Sequence, residues 1–175
     1  MKASFSNYYG HLWELFFYML FFLFLPKILE LITGRESSEI VTTLSIIGGV
    51  LFCIPAVILF LRYIAINKNI EIEYTESKIN VCINGLFRNI EIKEIERVDM
   101  RVTLPVFYNG FRYFATDSFF YAVIYLKSKE KVVVTSLIDN ELIETIDYLK
   151  NKVKVHRKWS FICWPPVNEL KTMGA

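Results

Sequence analysis

Residues 40–61, IVTTLSIIGGVLFCIPAVILFL, form a run of 22 positions without a charged side chain. At about 1.5 Å per residue, a helix of that length covers about 33 Å, which matches the roughly 30 Å hydrocarbon core of a bilayer. Fourteen of the positions are Leu, Ile, Val or Phe. Each contributes about −0.3 to −0.6 kcal/mol near a helix centre, so their sum favours insertion by several kcal/mol. Gly48, Gly49 and Pro55 oppose a helix in water but are tolerated in lipid, where Pro55 is a candidate kink. The run is read as a membrane span.

A second apolar run precedes it. Residues 15–26 alone would cover only about 18 Å as a helix, so this span needs its flanks. Extension to residues 12–32 gives a full crossing, with Glu14 near one interface and Lys27 and Glu30 near the other, where long side chains reach the head groups. Trp13 suits an interfacial belt. A cleaved signal peptide is the rival reading, since Lys2 precedes the run, but no small-x-small cleavage pattern follows it. Residues 33–39 (TGRESSE) are a short polar connection, as a helical hairpin requires. Such a hairpin sets both chain ends on one side. Lys2, Arg62, Lys68 and Lys78 flank the outer ends of the pair, whereas the loop carries only Arg35. The positive-inside rule then predicts a multi-pass protein of the cytoplasmic membrane, with both termini and the domain after the spans in the cytoplasm.

Composition agrees with an anchor joined to a small domain. Of 175 residues, 54% are hydrophobic, against roughly 45 to 50% in an average soluble domain. Residues 1–61 hold seven of the charged side chains and the remainder of the chain holds thirty-one. The expected division is a transmembrane hairpin over residues 1–66, a β domain over 67–155 and an aromatic tail over 156–175. A net charge of +2 gives no basic stripe for nucleic acid. Cys53, Cys82 and Cys163 are odd in number without CxxC spacing, so neither a disulfide framework nor a zinc site is expected. His11 and His156 have no ligand motif around them and are read as surface or interfacial.

After residue 69 the apolar period changes to two. Ile70, Ile72 and Tyr74 alternate with Glu71 and Glu73, and Ile79, Val81 and Ile83 alternate with Asn80, Cys82 and Asn84. Residues 75–78 (TESK) are the turn between them. Asn84-Gly85 predicts a type I′ hairpin turn, because both residues accept positive φ at low cost. Residues 86–92 (LFRNIEI) form the next strand. Its alternation sets Arg88 in phase with Leu86, Ile90 and Ile92, and a bulge beside the turn that returns Arg88 to water is the expected resolution. Residues 95–103, 118–126 and 131–136 are further strands.

The segment 106–114 (VFYNGFRYF) places aromatic rings around Asn109-Gly110, which again reads as a hairpin turn. Phe107, Tyr108, Phe111, Arg112, Tyr113 and Phe114 are the candidate contact surface. Burial of part of the set in the core is the competing reading, and exposed rings would enter a lipid interface or grip a partner. Leu142, Ile143, Ile146, Leu149 and Val153 then recur at three- and four-residue steps, predicting an amphipathic helix capped by Asp139 or Asn140. The tail 159–166 (WSFICWPP) is too short to span. Its Trp159 and Trp164, with Trp13, Arg62 and Lys68, are the candidate interfacial residues. Either the tail folds back on the membrane beside the basic stretch 152–158 (KVKVHRK), or it packs on its own domain.

Two apolar spans followed by IEIEYTESKINVCINGLFRNIEIKEIERVDM (residues 70–100) and a late helix resemble the bacterial pleckstrin-homology-like domains attached to paired membrane helices. The resemblance implies an α+β membrane protein: a transmembrane helical hairpin, then about seven antiparallel strands in two near-orthogonal sheets, capped by a C-terminal helix. The strand reading made from periodicity gives the same count. One departure concerns ligands. Members that bind phosphoinositides carry a basic cluster in the first strand turn, and here that turn pairs Lys78 with Glu76, so phosphoinositide binding is not expected.

No GxSxG, HExxH, GxGxxG or phosphate-loop pattern occurs, so no catalytic, cofactor or metal residues are assigned. The acid pairs Glu71/Glu73 and Glu94/Glu96 read as solvated strand faces. The expected function is a non-catalytic membrane-anchored interaction module at the inner leaflet that recruits or regulates a membrane or envelope protein. Its expected partners are the lipid bilayer, a membrane or cytoplasmic protein, or a second copy of the chain. Service as an accessory subunit of a transporter complex, protection against antimicrobial peptides as the resemblance suggests, and an enzyme of unrecognised type are the alternatives.

Overall fold

The computed structural model of the chain describes residues 5–36, 38–68, 70–75, 77–110, 114–139 and 142–166, without the side chains of residues 5–9, 11 and 115. Helix α1 spans Phe5–Thr33 and α2 spans Glu39–Asn67. Both are long and apolar enough to cross a membrane. Gly34, at φ 66°, ends α1 with its N–H on the Glu30 carbonyl at 2.9 Å, a left-handed cap that suits glycine. Ser38 starts α2, its hydroxyl accepting from Val41 N at 3.4 Å. The sequence reading stopped the second span at Leu61, and the helix continues six residues beyond it.

Gly48 and Gly49 have a packing role. A Cβ on Gly48 would lie 3.0 Å from Phe22 Cε1, and one on Gly49 would lie 3.2 Å from Phe22 Cβ. The missing side chains let the Phe22 ring settle against the α2 backbone, and the ring stacks on Phe52 at 5.7 Å. The other faces of both helices display apolar side chains outward, among them Phe17, Leu23, Ile46 and Leu51. Outward apolar faces of this extent are what a lipid-facing helix carries.

Seven strands follow among the described residues, in two sheets. The first, β1-β2-β3, is an antiparallel meander of Ile70–Tyr74, Lys78–Ile83 and Leu86–Glu91. The β2–β3 turn has the predicted form, with Asn84 at φ 52° and Gly85 at φ 82°. The second sheet has the order β6-β5-β4-β7, built from β4 (Ile95–Val102), β5 (Tyr121–Leu126), β6 (Lys131–Thr135) and β7 (Lys154–Trp159). A short helix α3 (Leu104–Phe107) lies between β4 and β5, and α4 (Leu142–Leu149) lies between β6 and β7. The core gathers Ile72, Ile79, Val81 and Ile90 from the first sheet with Val98, Met100, Ile124 and Val132 from the second, and Leu142, Ile146 and Leu149 of α4 pack against it. Alternation supplies one buried face per strand, and the helix covers what the sheets leave open.

Several expectations change. The amphipathic helix is not the final element: β7 follows it and pairs parallel to β4, from Arg97↔Lys154 to Val102↔Trp159. The sheets are therefore not wholly antiparallel, and the basic stretch is a sheet strand that crosses the boundary drawn at residue 155. The first half of the aromatic segment is not a hairpin strand: Val106 and Phe107 belong to α3, whose first turn holds Pro105, and Gly110 N bonds the Pro105 carbonyl at 2.8 Å. Arg88 is not returned to water. The β2–β3 register is unbroken, so Arg88 stays on the Ile90 face and forms an ion pair with Glu130, their side chains 16% and 7% exposed.

Candidate functional site

The feature most open to function is the junction between helices and sheets. It starts from the helical spacing of Leu59, Phe60 and Tyr63, which turns these side chains to one side of α2. There they form a second apolar cluster with Phe119 and Leu137, from the loops that enter β5 and leave β6. The Phe119 ring meets Tyr63 edge-on at 5.0 Å. At the end of α2, Asn67 Nδ2 donates to Thr135 Oγ1 at 2.6 Å, and that hydroxyl donates back to Asn67 Oδ1 at 2.9 Å. Thr135 shares a sheet face with buried Val133, so the last turn of α2 covers the side of the second sheet opposite the main core.

Further along the helices, the 3-10 turn Ala115–Ser118 touches α1 and α2. Ser118 Oγ donates to Glu14 Oε2 at 2.5 Å, so the acid placed by sequence near an interface is held by the domain. Asp117 is buried; its Oδ2 accepts from Phe114 N at 2.9 Å and its carbonyl accepts from Thr103 Oγ1 at 3.0 Å. Phe114 stacks on Phe52 at 5.3 Å and 8°. Phe22, Phe52 and Phe114 thereby form a continuous ring stack through both helices into the domain.

The tail reinforces this contact. Wholly buried Tyr63 donates its hydroxyl to the Cys163 carbonyl at 2.9 Å. Arg62 Nη2 donates to the Pro165 carbonyl at 3.5 Å, and the guanidinium lies 5.6 Å from the Trp164 ring centroid. Residues 163–165 pack against α2, a contact that neither sequence reading of the tail, on the membrane or on its own domain, named. Phe161 is 78% exposed and meets the Trp159 ring edge-on at 5.3 Å. Burial pushes the Cys163 thiol up to about 12, with Arg101 opposing the shift and Asp117 adding to it. With Cys53 and Cys82 replaced by Ala, Cys163 should resist iodoacetamide at pH 8 in the native protein and react on denaturation, because the thiolate is the nucleophile. Rapid native labelling, read by mass spectrometry, would mean that the tail is undocked.

The sequence-nominated contact residues separate. Phe107 is half-buried, 5.9 Å from the Arg157 guanidinium, while Tyr108 is 71% and Phe114 47% exposed. Phe111, Arg112 and Tyr113 lie outside the described residues. Among the interfacial candidates, Trp13, Lys68, Trp159 and Trp164 are exposed. His156 Nδ1 lies 3.5 Å from Asp99 Oδ1 at the sheet edge. Sequence reasoning missed Tyr63, Phe119, Leu137 and the Glu14–Ser118 pair. It also passed over β7, whose signal was present: Val153, Val155, Arg157 and Trp159 alternate with Lys154, His156 and Lys158.

A separate shallow concavity of about 450 Å³ lies on the outer face of the first sheet, lined by Glu71, Glu73, Asn80, Cys82, Phe87 and Asn89. Asn80 Nδ2 donates to Glu73 Oε2 there at 3.0 Å. Among the described residues, no group of three or more His, Cys, Asp or Glu side chains is placed to hold a metal ion. Comparison with known proteins found no matching protein family, no matching curated protein and no matching solved structure.

Proposed function

We propose that this chain is a non-catalytic membrane-anchored interaction module. The α1–α2 hairpin crosses the cytoplasmic membrane, and the sheet domain sits on the inner leaflet as a variant of the pleckstrin-homology-like pattern whose helix precedes the last strand. The observation that carries this reading is the shared cluster of Leu59, Phe60, Tyr63, Phe119 and Leu137. A flexible tether would let the domain swing, whereas a helix that enters the domain's own packing fixes its height and orientation at the bilayer. Fixed presentation is what a docking platform for a membrane or cytoplasmic protein needs, and the exposed Phe87 beside the polar concavity gives such a partner a surface to meet.

Two measurements test it. Cysteines introduced at Arg35 and at Phe87 should label from opposite sides of sealed vesicles, Phe87 from the cytoplasmic side; labelling from one side removes the crossing. A photo-crosslinker at Phe87 in intact cells should give one discrete adduct with another protein that disappears on Glu73→Arg. Absence of any adduct across the concavity would sink the platform reading.

A further inference from the structure

The helices need more bilayer than the domain leaves free. On the side of α2 away from the domain, Ile54, Ile58 and Leu61 are exposed and apolar. The apolar length from Leu61 to Ile40 is about 33 Å, all of it required to match a roughly 30 Å hydrocarbon core. On the other side, the domain covers α2 from Tyr63 as far as Phe52, where Phe114 stacks. Phe52 lies nine residues from Leu61, about 14 Å along the axis. A helix free of the domain only from Glu39 to Phe52 would measure about 21 Å, roughly a third too short.

The mismatch disappears if the part of the domain level with Phe52 lies in lipid, and that part is built for it. An apolar groove of about 530 Å³ opens there, lined by Leu104, Pro105, Tyr108, Phe114, Phe161 and Ile162 among others. Through Phe114, Thr116 and Ile162 it continues into a recess of about 160 Å³ against Tyr18, Leu51, Phe52 and Pro55 on the helices. The polar residues beneath it, Thr103, Asp117 and Ser118, are buried with protein hydrogen bonds. Such internal satisfaction is required where water is absent.

We propose that this groove sits within the leaflet on the domain's side and holds one phospholipid acyl chain. The inference rests on the spanning hairpin proposed above, and its test separates the two. Full-length protein is placed in nanodiscs whose phospholipids carry brominated chains, which quench nearby tryptophan. One variant keeps only Trp13 (Trp159→Phe, Trp164→Phe). The other carries Tyr108→Trp with all three native tryptophans changed to Phe. Loss of emission from both, relative to unbrominated lipid, is expected. Quenching of Trp13 alone overturns the immersed groove and leaves the hairpin standing, while quenching of neither removes the hairpin and this inference with it. Chain occupancy is read by native mass spectrometry. The parent protein should retain one phospholipid, and the groove-filling variant Thr116→Phe should lose it with Trp13 quenching unchanged. Ile162→Trp provides a second filling variant if Thr116→Phe does not fold. No retained lipid in the parent, or retention unaffected by filling in a folded variant, overturns the assignment.

Discussion

Replacing Arg88 with Leu is expected to destabilise the sheet domain by about 3–5 kcal/mol, the usual loss when one partner of a buried ion pair is removed. Glu130 is 7% exposed at its side chain and pairs with Arg88, and Ser128 Oγ donates to the same Oε2 at 2.9 Å. Without the guanidinium, a serine hydroxyl is left to support a carboxylate that bulk water barely reaches. Arg88 also spans the two sheets, since it belongs to β3 whereas Glu130 precedes β6. For a domain of about 100 residues, a loss of that size lowers Tm by upward of about 10 °C. Thermal unfolding of the detergent-solubilised protein is the measurement. The double variant Arg88→Leu, Glu130→Leu should recover most of the loss, because apolar replacement of both partners is often neutral. A single variant that melts with the parent would mean that the pair is solvated and contributes little.

The same residue shows how far the sequence could be read. Period-two alternation placed Arg88 on the Ile90 face, but its companion lies 42 residues away in a polar turn, and local pattern carries no information on that partner. A bulge was the economical local solution. The unbroken register makes it unnecessary because Glu130 neutralises the charge. Long uniform signals were legible for a related reason: the two helices, the strands β1 to β6 and the Asn84-Gly85 turn depend on neighbouring residues alone. Among the aromatic residues, Pro105 at the start of α3 outweighed the Asn109-Gly110 pair that suggested a hairpin. The junction was hidden because hydropathy treats Tyr63 and Leu59 as two more apolar residues of a span. Only the tertiary fold separates the side of α2 that meets Phe119 from the side that meets solvent or lipid.

The junction also buries polar groups, among them Asn67, Thr135 and Ser136. Phenols resist ionisation in such settings: burial raises the pKa of Tyr121. The apolar cluster around Tyr63 and the hydrogen bonds of Asn67 with Thr135 and of Tyr63 with the Cys163 carbonyl hold the region that faces the helices, and the charged Arg62 and Glu14 there bond a carbonyl and a hydroxyl. Salt should affect this contact little, in contrast to an electrostatically docked domain.

Removing residues 157–175 is expected to be the most damaging single change, and graded truncation shows why. Tyr63→Phe deletes only the hydroxyl that donates to the Cys163 carbonyl, a net loss of about 0.5–1.5 kcal/mol. Deletion of residues 161–175 removes that acceptor together with the Arg62 contacts to Pro165 and Trp164, and it uncovers apolar surface on α2, so it should cost more than Tyr63→Phe. Deletion from residue 157 also takes the pairs Met100↔Arg157, Arg101↔Lys158 and Val102↔Trp159, together with the 2.7 Å bond from Arg157 Nη2 to the Val106 carbonyl. It converts the second half of β4 from an internal strand to an edge and releases α3, so the loss should exceed the sum of the smaller truncations. Thermal unfolding should rank the parent above Tyr63→Phe, then the 161–175 deletion, then the 157–175 deletion, with the last prone to aggregation through its new edge. A tail lying on the membrane rather than on α2 would reverse the logic: the 161–175 deletion would then weaken lipid contact while leaving the melting temperature in place.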